Sequence, residues 1–292
     1  MRRVFVLTVL LIALATACGG GEDKTVLELG DKEITPIPGN SELVVGPNRF
    51  AVAFIDAENN PIAGESGTSV HFSLFGPDGT AKGEQDARFV WAIPDETGVW
   101  TAGVNFDQAG QWKVEALLRR GGDEKTVAFS FTVLERGQAP MIGDPAPPTE
   151  NLTLGQEPNI KRVSTDENPD LAFYQLTVAE ALQAGKPFVV IFATPAFCQT
   201  RFCGPILDNV KSVRPEFADR VNFINIEPYE LDADGRLVTD EQGIKVAQPM
   251  LDWELQTEPW VFVVGADGRI ADRFEGAASP EDLREAIQAA LG

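Results

Sequence analysis

The chain has 292 residues, 43% hydrophobic and 23% charged, which excludes wholesale disorder and a polytopic membrane protein and favours two domains. Its 44 acidic against 24 basic residues give a formal net charge of −20, which argues against a nucleic-acid partner and fits a well-solvated protein. One histidine and three cysteines leave little material for metal sites or for histidine-based catalysis, and no cofactor is called for.

Arg2 and Arg3 precede an uncharged, mostly apolar stretch over residues 4–17 that ends in small residues before Cys18. This is the pattern of an export signal. As a helix it would reach about 21 Å, short of the ~30 Å hydrocarbon core, so cleavage is expected rather than a permanent span. Leu14-Ala15-Thr16-Ala17-Cys18 resembles a bacterial lipoprotein processing site, with Ala15 standing where such sites more often carry Leu. The resemblance implies lipidation of Cys18 and an extracytoplasmic protein anchored to the cell membrane; ordinary cleavage is the alternative. The expected division begins with a signal peptide, 1–17, and a tether, 18–40, opened by Gly19, Gly20 and Gly21.

From 41 to 135 the pattern is short β-type runs, at 49–57, 69–75, 88–92, 99–106, 111–118 and 125–133, separated by turn residues such as Pro77-Asp78-Gly79 and Gly121-Gly122-Asp123. Strands at this spacing predict an antiparallel sandwich. Gly98-Val99-Trp100-Thr101-Ala102 and Gln111-Trp112-Lys113-Val114 resemble the end of small immunoglobulin-like domains of bacterial envelope proteins. That resemblance implies a fold and no chemistry. Trp91, Trp100 and Trp112 are read as core or rim packing, and His71 as a packed or surface strand residue.

Residues 136–168 are Pro-rich without sustained periodicity and read as a linker and lead-in. From 169 to 292 a second pattern begins. Thr177 with Glu180 forms a capping box, and Gly185 closes the helix it opens. Residues 187–193 are a continuous apolar run, as in a strand buried on both faces. A helix is expected from Pro205 toward Arg214, then a strand over 221–226, which makes a βαβ unit. Residues 260–264 and 269–274 flank an Asp-Gly turn, and Ser279-Pro280 starts a final helix.

The order α-β-α-β, an insertion over 228–257, then β-β-α resembles the thioredoxin fold. The strand into Phe197-Cys198, the helix after Cys203-Gly204-Pro205, and Glu258-Pro259-Trp260 before the hairpin carry the resemblance. It implies a redox-active cysteine pair, Cys198 and Cys203, faced by a cis-proline at Pro259, with Glu258, Pro259 and Trp260 forming the substrate-binding segment. The fold class expected is an all-β immunoglobulin-like sandwich followed by an α/β thioredoxin-like domain.

The spacing departs from that family. Its usual motif has two residues between the cysteines, whereas Cys198-Gln199-Thr200-Arg201-Phe202-Cys203 has four. On one helix the two thiols would stand about 140° apart, so both cysteines are placed in a loop capping a helix that starts near Pro205. There a six-residue turn can bring the Cα atoms within the ~4.4–6.8 Å a disulfide needs. Helix N–H groups and Arg201 are expected to stabilise a thiolate. No Asp or Glu lies within residues 188–197, so the strand supplies no buried carboxylate as proton acceptor.

These residues point to an envelope thiol–disulfide oxidoreductase acting on exported proteins that carry thiols or disulfides, together with an unidentified redox partner. The alternative is a redox-inert scaffold with a structural disulfide, although so short a loop would gain only about 2–2.5 kcal/mol. A copper site would need a histidine nearer than His71. Asp232-Ala233-Asp234-Gly235 lacks the acidic spacing of a calcium loop and reads as a surface turn. In the insertion, Met250, Leu251, Trp253 and Leu255 are expected to cover the cysteine pair.

Overall fold

The computed structural model describes residues 34–292, so the signal peptide, Cys18 and most of the tether expected above lie outside the described residues. Eight strands form the first half: β1 (Ile34–Pro38), β2 (Gly46–Asp56), β3 (Thr68–Phe75), β4 (Ala81–Asp86), β5 (Arg88–Ile93), β6 (Thr97–Phe106), β7 (Gly110–Arg120) and β8 (Asp123–Val133). They pair antiparallel into two sheets, ordered β1-β2-β6-β5 and β4-β3-β7-β8. Alternation closes the sandwich: Phe50, Val52, Phe54, Trp100, Val104 and Phe106 meet Phe72, Trp112, Val114, Phe129 and Phe131 in one core. Trp100 and Trp112 are buried there, each indole N–H donating to a main-chain carbonyl, while Trp91 is 38% exposed. His71 lies on β3, where its Nδ1 is 2.8 Å from Asp86 Oδ1.

Two strands have no counterpart in the periodicity. β1 lies within the stretch expected as tether and is held by its ladder to β2. β4 reads Ala-Lys-Gly-Glu-Gln-Asp and is exposed throughout, so it carries no apolar alternation; pairing with β3 makes it a strand, and its charges blunt a sheet edge.

The second half contains α1 (Val178–Ala184), β9 (Phe188–Phe192), α2 (Cys203–Phe217), β10 (Asn222–Ile226), a small hairpin of β11 (Thr239–Asp240) and β12 (Gly243–Ile244), α3 (Gln248–Asp252), β13 (Trp260–Val264), β14 (Ile270–Glu275) and α4 (Pro280–Leu291). The main sheet runs β10-β9-β13-β14, with β10 parallel to β9 and β13 antiparallel to both its neighbours. This is a thioredoxin-like arrangement. Thr177 and Ser279 cap α1 and α4 through complete capping boxes, and Gly185 ends α1 at φ 62°.

Every residue of β9 and β13 is buried, because the sheet is covered on both faces. Val189, Ile191, Val261 and Val263 pack with α2 and α4. Phe188, Val190, Phe192, Trp260, Phe262 and Val264 pack on the opposite face with α1 and the insertion. The Pro-rich stretch is no free linker: Ala139, Ala146, Thr149, Asn151, Thr153 and Val163 are buried, strapping it to this domain.

Candidate functional site

Strand β9 delivers the chain to Thr194, and a turn follows in which the Phe197 and Cys198 N–H groups both donate to the Thr194 carbonyl at 3.2 and 3.0 Å. Cys198 is half-buried at the end of this turn, and Cys203, fully buried, is the first residue of α2. Both are free thiols. The helix therefore begins two residues before the start expected at Pro205. Pro205 sits in the first turn, where a missing N–H has no helical acceptor to lose.

The loop between them brings the sulfurs together. Arg201 adopts φ 63° and Phe202 is right-handed, and this pairing of conformations turns successive N–H groups inward as an anion-binding nest. The Cys203 N–H donates to Cys198 Sγ at 3.3 Å, and Thr200 Oγ1 stands 3.3 Å from the same sulfur. These groups hold Cys198 down to about 5: the Cys203 thiol contributes most, then the Thr200 hydroxyl and the Cys203 and Phe202 N–H groups, against the opposing cost of burial. Burial pushes Cys203 the other way, and its hydrogen bond to Cys198 and the charge of Glu258 add to the rise. The pair is asymmetric, an accessible thiolate beside a buried, protonated thiol.

Glu258 and Pro259 are joined by a cis peptide bond, and the Glu258 charge interacts with both cysteines. Glu258 accepts a hydrogen bond from the Tyr229 hydroxyl at 3.2 Å. Its carboxyl is raised, first by burial and then by the nearby Cys198 charge. Tyr229 is pushed up to about 12 by burial and the Glu258 charge.

Three expectations need correction. The Arg201 guanidinium turns away from the sulfurs to Glu96, 2.8 Å away on the sandwich, so it is the backbone of Arg201 that shapes the thiolate site. Trp260 presents no substrate-binding surface: it is 3% exposed, stacks on Phe262 and donates to Thr257 Oγ1. Alternation along β13 puts it on the sheet face opposite α2. Met250, Trp253 and Leu255 belong to that same far face, with the Trp253 indole N–H on Thr149 Oγ1, and Leu251 is exposed; they do not cover the cysteines.

The carboxylate missing from β9 comes from the neighbouring strand. Parallel pairing sets Ile226 level with Phe192, so Glu227, the next residue after β10, falls level with Ala193, and its side chain hydrogen-bonds the adjacent Thr194. Glu227 is 7% exposed; its Oε2 accepts from the Thr165 N–H and hydroxyl at 3.0 and 2.9 Å, while Oε1 is without a partner. Burial raises it to about 7, against hydrogen bonds from Thr194 and Thr165. The Thr194 main chain also hydrogen-bonds the Cys203 sulfur, so one residue links carboxylate and thiol. A cleft of about 460 Å³ is lined by Glu227, Tyr229, Arg162 and Gln248 among others. The sequence signal for Glu227 was an acid ending an apolar strand, legible only once that strand is paired with β9.

Among the described residues, no group of three or more His, Cys, Asp or Glu is placed to hold a metal ion, and no helix is long and apolar enough to cross a membrane. No protein-family model matches the sequence, and no curated protein matches it. Among solved structures, a thioredoxin-family thiol:disulfide interchange protein from Chlorobium tepidum is similar over 53% of this chain and 100% of that one, at 19% identity and a TM-score of 0.35.

Proposed function

We propose that this chain is a thiol–disulfide oxidoreductase of the bacterial envelope, anchored through a lipidated Cys18, whose C-x4-C pair exchanges disulfides with exported proteins. The observation that carries it is the asymmetry of the pair: Cys198 is reachable and held to about 5, whereas Cys203 is fully buried and pushed up. A stabilising bridge needs no such difference between its two sulfurs.

In the reducing direction the Cys198 thiolate attacks a partner disulfide, forming a mixed disulfide and releasing one partner sulfur as a thiolate that takes up a proton. Cys203 then gives up its proton and attacks Cys198 Sγ. The second partner sulfur leaves, the partner has gained two electrons, and Cys198–Cys203 is oxidised. A dithiol protein of the envelope restores the reduced pair, and oxidation of a partner is the same sequence reversed. The Cys203 proton goes to the departing partner sulfur, beside Glu258, whose charge bears on Cys203. Glu258 and Pro259 line the approach, and the sandwich is read as an immunoglobulin-like module carrying the redox domain.

The test is trapping in cells. Cys203→Ser should accumulate mixed disulfides through Cys198, and Cys198→Ser should accumulate none. Absence of trapped partners from the Cys203→Ser strain would replace this reading with an inert scaffold.

A further inference from the structure

The loop between the cysteines is held from outside its own domain. Its last two residues, Arg201 and Phe202, set the backbone that aims N–H groups at Cys198, and the side chains of both are engaged by the β-sandwich. Arg201 Nη2 donates to Glu96 Oε2, at the turn between β5 and β6, over 2.8 Å. Phe202 packs on a small apolar cluster formed by Ala51, Val90, Ala92 and Val99 of the sandwich with Ala277 of the redox domain.

The sandwich is built for this docking. Ala51 and Ala53 alternate with core residues of β2, and Val99 with Trp100 of β6, so they lie on the outer face of their sheet. Short side chains there let the second domain approach closely. A built polar contact fixes the approach: Arg49 donates to the Ala277 carbonyl at 2.7 Å and pairs with Asp282 at 3.3 Å, and Arg88 also pairs with Asp282. Non-glycine residues rarely take positive φ and keep it where surrounding structure over-determines them. For Arg201 that structure includes another domain.

We propose that the β-sandwich is a clasp for the redox loop, with Glu96 and the Val90–Ala92–Val99 face as positioning elements that hold Arg201 and Phe202 in the conformation where the Cys203 N–H meets Cys198 Sγ. The proposal rests on the redox reading above and adds to it the role of the first domain. Releasing the clasp lets the loop relax, the N–H groups turn away, and the thiolate loses its donors. The other titratable groups facing Cys198 are the Cys203 thiol, Glu258 and Tyr229, which belong to the redox domain and stay in place, so the loss read is that of the loop N–H donors alone.

The experiment uses the full chain and follows alkylation of Cys198 by iodoacetamide as a function of pH, read on the Cys198 peptide by mass spectrometry. Ala92→Gln, bulky but uncharged, drives the two faces apart without touching the redox domain, Phe202→Ala empties the seat, Phe202→Leu refills it, and Glu96→Gln cuts the ion pair. Ala92→Gln and Phe202→Ala should raise the alkylation midpoint so that the rate at pH 5 falls about three- to tenfold with the high-pH plateau unchanged. Phe202→Leu should restore the wild-type profile. Glu96→Gln separates positioning from charge, since loss of a nearby negative charge alone lowers a thiol midpoint, whereas loosening the loop raises it.

Thermal unfolding identifies variants that still fold. If folded Ala92→Gln and Phe202→Ala keep the wild-type midpoint, or Glu96→Gln lowers it, the clasp is overturned and the redox reading stands. If wild-type Cys198 itself titrates as an ordinary thiol, the redox reading fails first and the clasp with it.

Discussion

The main-chain N–H of Cys203 donates to the sulfur of Cys198 across 3.3 Å, although four residues separate the two in sequence. That bond joins the first helical N–H of α2 to the Cys198 sulfur, so the helix terminus, the nest at Arg201–Phe202 and the Thr200 hydroxyl act on one atom. The folded loop thus brings donors to a sulfur that four intervening residues separate from the helix.

Cys198 should react as a thiolate in mildly acidic solution, with alkylation half-maximal near pH 5. Thr200→Val removes one donor while keeping the β-branched shape, and should raise that midpoint by about half to one unit. The pH profile of carboxymethylation measures both, and an unchanged midpoint in the variant would remove Thr200 from the thiolate's partners.

A thiolate stabilised from 9.0 to about 5 favours the reduced pair at neutral pH. Discounted for solvent screening of a half-buried sulfur, the gain is roughly 1–2 kcal/mol at pH 7, or about 20–40 mV for a two-electron couple. The protein should therefore equilibrate with glutathione at a potential tens of millivolts above thioredoxin's value of about −270 mV. A potential below that value would contradict the stabilisation described here.

Glu227 should make the fold more stable in acid than at alkaline pH. Burial raises its carboxyl from 4.5 to about 7, so the folded chain favours the neutral form. That contribution is complete below pH 4.5 and is lost as pH rises through 7. Glu227→Gln should unfold at higher denaturant than wild type at pH 8, by about 1–2 kcal/mol, with the difference vanishing near pH 4. Urea titrations at the two pH values give the comparison.

Asp282 is the joint between α4 and the sandwich. It accepts from Ser279 in the capping box, is 6% exposed and pairs with Arg49 and Arg88. Asp282→Ala removes one partner of the Arg49 guanidinium, which burial has already brought down to about 10 and which keeps the Asp272 charge and the Ala277 carbonyl. The loss should be about 1–3 kcal/mol in global unfolding, the cost of removing one partner from a buried hydrogen-bonded charge. Glu216→Ala, which breaks an exposed pair with Arg284, should leave the unfolding midpoint unchanged.

Much of the fold was legible in short stretches. The capping boxes at Thr177 and Ser279, the apolar run of β9 and the Asp-Gly turn before β14 are local patterns, and local physics decides them. β4 was invisible for the converse reason: an edge strand with no buried face has no periodicity to read. The strap over 136–168 looked like a linker because its packing partners lie elsewhere in the chain.

The sequence by itself determined which residues could do redox chemistry: two cysteines at the end of a buried strand, a proline before the next hairpin, and no histidine nearby. Tertiary structure alone decided how they are used. Strand register set Glu227 level with Ala193 and within reach of Thr194, sheet alternation turned Trp260 to the far face, and the packing of α2 against the β-sandwich gave Arg201 to Glu96 instead of to Cys198. The physical reason is that side-chain periodicity encodes burial, a property of one element, whereas a partner is fixed by the register and docking of elements distant in the chain.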